Sequence, residues 1–210
     1  MSDAIPTKPF ALTLPDNGGV SIMLCGSTRS GKSSALSYIL ERYFKKHLGV
    51  LFTNSPQAEI YKKMDIIQSD RYLPKVLRDS AYINKKTDNR YPFLFVLDDV
   101  VTNIKFDKEL LKALTIYRNS NISVIQCIQA LALLNSSART NVNYVLLFKF
   151  NSDEQVEKAI RMYLTSYFPK GMSMLDKMRE YRRLTNDHYF FMVDNLSGGV
   201  TRHKIDLAED

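Results

Sequence analysis

The chain has 210 residues, 45% of them apolar and 24% charged. That is the composition of a globular protein, and it excludes a disordered or collagen-like chain. At about 150 residues per domain this length points to one domain, with an irregular arm over 1–18 and the folded unit over 19–210. Lys and Arg number 29 against 22 Asp and Glu, a net charge of +7, which suits a polyanionic partner such as nucleic acid. The two cysteines, Cys25 and Cys127, each sit within an apolar run, with no CxxC or Cys/His cluster to suggest zinc. They read as reduced core residues of an intracellular protein. The N-terminus has no basic stretch followed by an apolar one, and no apolar run reaches the ~18 residues of a membrane span. A soluble protein without a membrane partner is expected.

The arm contains Pro6, Pro9 and Pro15 and ends in Asp16-Asn17-Gly18-Gly19, a turn signal. Val20 to Cys25 is a short apolar run of the kind buried on both faces in a parallel sheet. A Gly/Ser-rich loop follows, and then Ala35, Leu36, Ile39, Leu40 and Tyr43 recur at helical spacing through about Lys46. Val50-Leu51-Phe52 begins the next strand, so the opening is a βαβ unit. Residues 55–90 are polar, with helices expected near 57–64 and 74–79 and a loop over 84–90. Phe93 to Leu97 is a third strand, ending in Asp98-Asp99. A helix is expected over 106–117, a fourth strand over Ile122–Ile128 ending at Gln129, and a fifth over Val142–Phe150. Helices over 153–164, entered through the N-cap candidate Ser152, and over 171–183 follow. Tyr189–Val193 and Thr201–Ile205 flank Asn195-Leu196-Ser197-Gly198-Gly199 and read as a terminal hairpin. Strands alternating with helices indicate an α/β fold with a mostly parallel sheet.

Gly26-Ser27-Thr28-Arg29-Ser30-Gly31-Lys32-Ser33 matches G-x-x-x-x-G-K-[ST] without a mismatch, between a buried strand and an amphipathic helix. Its glycines let the backbone N–H groups converge on phosphates, and the helix start adds positive potential. Lys32 is expected at the β- and γ-phosphates, Ser33 on Mg²⁺, and the loop through Ser34 around the nucleotide. Asp98 and Asp99 stand at the carboxyl end of a strand, where open α/β sheets bind ligands. Asp98 is expected on Mg²⁺, and Asp99 as the acid that orients or deprotonates the attacking water. Gln129 ends the next strand and suits a γ-phosphate sensor. Gln126, three residues earlier, points to the other face and reads as structural or interfacial.

The set GSTRSGKS, FLFVLDD, YRNSNISVIQCIQ and ARTNVNYVLLFKF resembles the viral genome-packaging ATPases of the FtsK–HerA superfamily, of the poxvirus-like and virophage-like type, over roughly residues 19 to 151. The resemblance implies a RecA-like P-loop NTPase core of the additional-strand type, with the Gln strand between the phosphate-loop strand and the Asp-Asp strand. It implies a Mg²⁺-dependent ATPase that translocates double-stranded DNA into a viral capsid. It further implies a pentameric or hexameric ring of identical copies with ATP at their interfaces, docked on a capsid protein or portal vertex. The host cytoplasm or a virus assembly site would be its location. Arg139, in the Arg-Thr-Asn position, and Arg118, where the family often shows Arg-His, are candidates to neutralise transition-state charge in trans. Arg29 can contact nucleotide or a neighbouring copy. Lys177, Arg179, Arg182 and Arg183 on one helix, and Lys85, Lys86 and Arg90 on one loop, are candidate DNA-backbone contacts. A cellular DNA-segregation or conjugation motor, a small-molecule P-loop kinase and an ATP-gated capsid-assembly scaffold are the competing readings.

Overall fold

The computed structural model describes residues 9–16, 18–54, 61, 66–100, 107–131 and 140–205. Among the described residues, eight strands form one mixed sheet: β1 Ser21–Cys25, β2 Leu48–Thr53, β3 Ile67–Ser69, β4 Phe93–Asp98, β5 Ile122–Ile128, β6 Tyr144–Leu147, β7 Phe190–Asp194 and β8 Gly199–His203. Five described helices flank it: α1 Lys32–Tyr43, α2 Pro74–Lys86, α3 Lys108–Thr115, α4 Asp153–Tyr163 and α5 Met174–Leu184. The order across the sheet is β3-β2-β4-β5-β1-β6-β7-β8. Neighbours from β3 to β6 run parallel, and β7 and β8 close the edge as an antiparallel hairpin. The expected insertion is present: β5, the Gln strand, lies between β4 and β1.

The central strands β1, β5 and β6 are buried along their whole length, because helices cover both sheet faces. Met23, Phe95, Leu97, Val124 and Ile128 face α2 to α5. Ile22, Leu24, Val96, Ile125 and Cys127 face α1, where Phe10 and Leu12 of the N-terminal segment also pack. Phe10 sets its ring edge-on to Tyr43, Phe190 and His203, which ties that segment to α1 and the hairpin. At the start of β1, Asn143 Oδ1 accepts from Ser21 N (2.9 Å) and Ser21 Oγ (3.0 Å), joining β1 to the entry of β6.

Several boundaries differ from the sequence expectation. The helix expected over 74–79 runs on to Lys86, since Leu77 and Ala81 continue its buried stripe and Asn84 fixes its end by donating to Tyr91 O and Ser120 O. The helix expected over 106–117 stops at Thr115 and tightens into a 3₁₀ turn, Tyr117–Ser120. The strand expected over 142–150 is ladder-paired over Tyr144–Leu147. Ser152 stands at the N-cap of α4, but its side chain makes no capping bond. Strand β3 was not expected: it is three residues long, at the sheet edge, with Ile67 70% exposed. The helix expected over 57–64 falls outside the described residues except for Tyr61. Cys25 and Cys127 are buried free thiols. Among the described residues no helix is long and apolar enough to cross a membrane.

Candidate active site

The phosphate loop leaves β1 at the carboxyl edge of the sheet and is pinned to the strands on both sides. Gly26 N donates to Ile128 O of β5 (3.2 Å), and Ser27 N donates to Lys149 O just past β6 (2.9 Å). Asn151 N donates back to Ser27 Oγ at 2.9 Å. Gly26 has no space for a side chain: a Cβ there would meet Phe148 Cβ at 2.7 Å and Ser30 Oγ at 2.9 Å. Gly31 begins α1 at φ +101°, a left-handed conformation that favours glycine. Lys32 is 8% exposed, and its Nζ donates to Gly26 O (2.7 Å) and Ser27 O (2.9 Å), so the ammonium is held against the loop. Ser30 Oγ is buried there with no hydrogen-bond partner. Ser33 and the exposed Thr28 and Arg29 border the loop, and the first turn of α1 carries no acidic residue to offset its positive end.

Asp98 closes β4 and lies on the α1 side of the sheet. Tyr61 donates its hydroxyl to Asp98 Oδ2, and the buried Cys127 lies opposite Asp98 in register. Burial pushes the Asp98 carboxyl above its ordinary value, and the neighbouring Asp99 adds to the rise. The Tyr61 hydrogen bond, the adjacent Cys127 thiol and the Lys32 charge oppose it. Asp99 follows at φ +56°, turned out of the strand, with Asn54 Nδ2 donating to its carbonyl (3.1 Å). Gln129 Nε2 donates to Asp99 Oδ1 at 3.0 Å, while Gln129 Oε1 accepts from Thr28 Oγ1 at 3.3 Å. One chain of side chains therefore runs from the phosphate loop through the β5 end to the acid after β4. The Ser33 hydroxyl and the Asp98 carboxylate at this edge are hard oxygen donors of the kind Mg²⁺ takes.

Gln126 lies on the opposite sheet face, fully buried, with both amide atoms lacking a hydrogen bond. Arg118 sits in the 3₁₀ turn before β5, its carbonyl accepting from Gly19 N at 2.7 Å. The seven residues of β5 put it about 20 Å from the strand's carboxyl end. Arg118 is thus remote from its own chain's phosphate loop. Arg139 lies outside the described residues. On α5, Arg179 pairs with Asp176, Arg182 with Asp153, and Arg183 with Glu180, so most of that basic cluster is already matched by acids. Lys85, Lys86 and Arg90 gather at the amino edge of the sheet. Leu48 N bonds Pro92 O there (2.8 Å), which places Lys45 and Lys46, just past α1, at the same edge. None of these five cations is ion-paired among the described residues.

Asn54, Tyr61 and Lys149 were not anticipated. Asn54 stands one residue past Thr53, the register partner of Asp98, so its strand-end position was a usable signal. Tyr61 lies in a polar segment with no pattern to mark it. Lys149 holds Ser27 through its backbone carbonyl, which carries no sequence signal.

No protein-family model matches the sequence, and no curated protein resembles it in sequence. Solved structures do resemble it in fold. The genome-packaging NTPase B204 of Sulfolobus turreted icosahedral virus 2, in complex with AMPPCP, superposes with a TM-score of 0.65 at 16% identity, over 90% of this chain and 100% of that one. The pCW3 conjugation coupling protein TcpA, with ATPγS, gives 0.62 at 14% identity, over 89% of this chain and 60% of that one. ATPases 2 and 3 of EssC from Geobacillus thermodenitrificans give 0.51 at 15% identity, over 67% of this chain and 33% of that one. In architecture, this chain is a P-loop protein built on the same plan as the packaging NTPase B204 and the coupling protein TcpA.

Proposed function

We propose that this protein is a Mg²⁺-dependent ATPase that translocates double-stranded DNA during viral genome packaging, working as a ring with ATP between subunits. The observation that carries the reading is the Thr28–Gln129–Asp99 chain of hydrogen bonds, which couples the phosphate loop to the acid pair. The loop from Gly26 to Ser34 binds the phosphates, with Lys32 neutralising their charge. Ser33 and Asp98 would hold Mg²⁺, which when bound screens the phosphate oxygens and polarises the γ-phosphate. Asp99 orients the attacking water and takes its proton, and Gln129 places that water while touching the loop. Water is thus held where a kinase would hold an acceptor hydroxyl, and release of inorganic phosphate is the distinguishing product.

The position of Arg118, far from its own loop, supports a role only towards a neighbouring copy. Arg139 is the other candidate for that trans position. The amino-edge cations Lys45, Lys46, Lys85, Lys86 and Arg90, not ion-paired among the described residues, support DNA contact there rather than on α5, through phosphates and without sequence reading. Packaging into a capsid follows the resemblance to B204. A conjugation-type motor would use the same chemistry, as the fold match to TcpA allows.

The test is ATP hydrolysis with and without double-stranded DNA at rising salt. DNA should stimulate the rate, the stimulation should fade with salt, and Lys85→Glu with Lys86→Glu should abolish it while leaving the basal rate. Stimulation untouched by that double change would refute the amino-edge DNA surface.

A further inference from the structure

Beside the phosphate loop, on the side away from the acid pair, lies a cavity of about 340 Å³. Its walls are Gly31, Ser34 and Ala35 at the start of α1, and His188, Lys204 and Ile205 of the C-terminal region. We propose that this cavity takes the base and ribose of the nucleotide, with a purine stacked on the His188 imidazole, and that it selects purines over pyrimidines without separating adenine from guanine. The proposal rests on the phosphate loop being a nucleoside triphosphate site.

The sheet order sets the direction of the ligand. Asp99 and Gln129 follow β4 and β5, on one side of β1. The cavity stands over the ends of β6, β7 and β8, on the other side. A triphosphate whose γ end meets Gln129 therefore runs past Lys32 and leaves the loop at Ser34, at the cavity mouth. The volume is within the usual range for small-ligand pockets, roughly 300–1,000 Å³.

The chemistry of the walls suits a flat, uncharged ring. The floor is Phe148 and Phe190, both buried and stacked with centroids 4.7 Å apart. His188 is exposed, and its Nδ1 lies 3.2 Å from where a Cβ on Gly31 would stand, so the imidazole rests against the loop. Asp187 and His188 both hold left-handed backbone, at φ +53° and +63°. Two such residues in a row are costly without glycine, and the surrounding structure must hold them there. Lys149 Nζ does part of this by donating to Asn186 Oδ1 (3.2 Å), from the same residue whose carbonyl anchors Ser27. The ring that would stack on the base is thus tied to the segment that shapes the phosphate loop.

The lining contains no amide or carboxylate side chain among the described residues. Sharp discrimination between bases needs buried groups matched to a base edge, donor to acceptor. Here the charged lining group is Lys204, a donor only, and the large surfaces are rings and aliphatic carbons. Stacking favours the larger purine π-face and treats adenine and guanine alike.

The test is titration of the full chain, in Mg²⁺, with ATP, GTP, CTP and inorganic tripolyphosphate. The wild type should bind ATP and GTP within about fivefold of each other, and both more tightly than CTP or tripolyphosphate. His188→Ala should weaken ATP and GTP about tenfold, or about 1.4 kcal/mol, and leave tripolyphosphate unchanged. His188→Phe, which keeps a flat ring, should retain ATP affinity, and Ile205→Trp, which fills the cavity, should lower it. Unchanged ATP affinity in both His188→Ala and Ile205→Trp would overturn the proposal, as would an equal loss for ATP and tripolyphosphate. A wild type that binds tripolyphosphate as tightly as ATP would overturn the base site alone. One that binds neither would overturn the phosphate-loop reading and this proposal with it.

Discussion

Gln129 offers the sharpest perturbation of the coupling between loop and acid. Its amide donates to Asp99 Oδ1 at 3.0 Å and accepts from Thr28 Oγ1 at 3.3 Å, so it is both a donor aimed at the acid and a contact of the phosphate loop. Gln129→Ala removes both contacts at an exposed position, where a substitution changes stability by only about 0.5 kcal/mol. The rate should suffer far more: losing one preorganised polar group at a reacting centre costs about 10²-fold in kcat, close to 2.7 kcal/mol. Gln129→Glu is isosteric but puts a carboxylate 3.0 Å from Asp99 Oδ1. Two such charges repel by about 1.4 kcal/mol in water-like surroundings and about 5 kcal/mol at an effective dielectric of 20. Both side chains are exposed, so the lower figure applies and roughly a further tenfold loss is expected. Steady-state phosphate release, nucleotide affinity and melting temperature should be measured together. A fall in kcat with affinity and melting nearly intact is the expected pattern. A kcat within about threefold of wild type in both variants would refute the role of Gln129 in placing water.

Other expectations follow from the packing. Asn143→Ala leaves the buried Ser21 N–H without its side-chain acceptor, which costs about 1–3 kcal/mol. In a chain of this size that is a fall in melting temperature of roughly 5 °C, and a shift under about 1 °C by calorimetry would contradict it. His47 is half-buried, and burial lowers its pKa, outweighing the opposing effect of the Phe44 backbone. The unfolded chain therefore binds the proton more readily, so stability is complete above pH ~6.5 and falls as pH drops through that value toward the lowered folded one. Denaturant titrations from pH 5 to 8 should show this slope, and His47→Gln should flatten it.

The parts of the molecule legible in the sequence were those fixed by local pattern. GSTRSGKS between an apolar run and an amphipathic stretch specifies a strand, a tight loop and a helix start, because each depends on residues next to one another. Asp98, Asp99 and Gln129 could be placed at one sheet edge because parallel strands present their carboxyl ends together. Gln126 follows from the period of two, which turns it to the face opposite Asp98, although nothing in the pattern predicts an amide buried without a partner there. What stayed hidden depends on contacts distant in sequence. Strand β3 exists because three residues pair with β2, and its half-polar Ile67-Gln68-Ser69 has no signature of its own. Tyr61 reaches Asp98 across 37 positions, and His188 reaches Gly31 across more than a hundred and fifty. The ion pairs that neutralise α5 involve Asp153 on another helix as well as neighbours on α5 itself, so a run of arginines in sequence looked more available than it is.

The central claim is that the loop and acid pair hydrolyse a nucleoside triphosphate with water. Phosphate release from ATP by the wild type and by Asp99→Asn, alongside nucleotide binding by both, tests it most directly. The wild type should turn over in Mg²⁺, and Asp99→Asn should bind ATP with similar affinity while losing at least about 10²-fold in rate. A wild type that binds ATP without releasing phosphate, or an Asp99→Asn variant at full rate, would contradict the account.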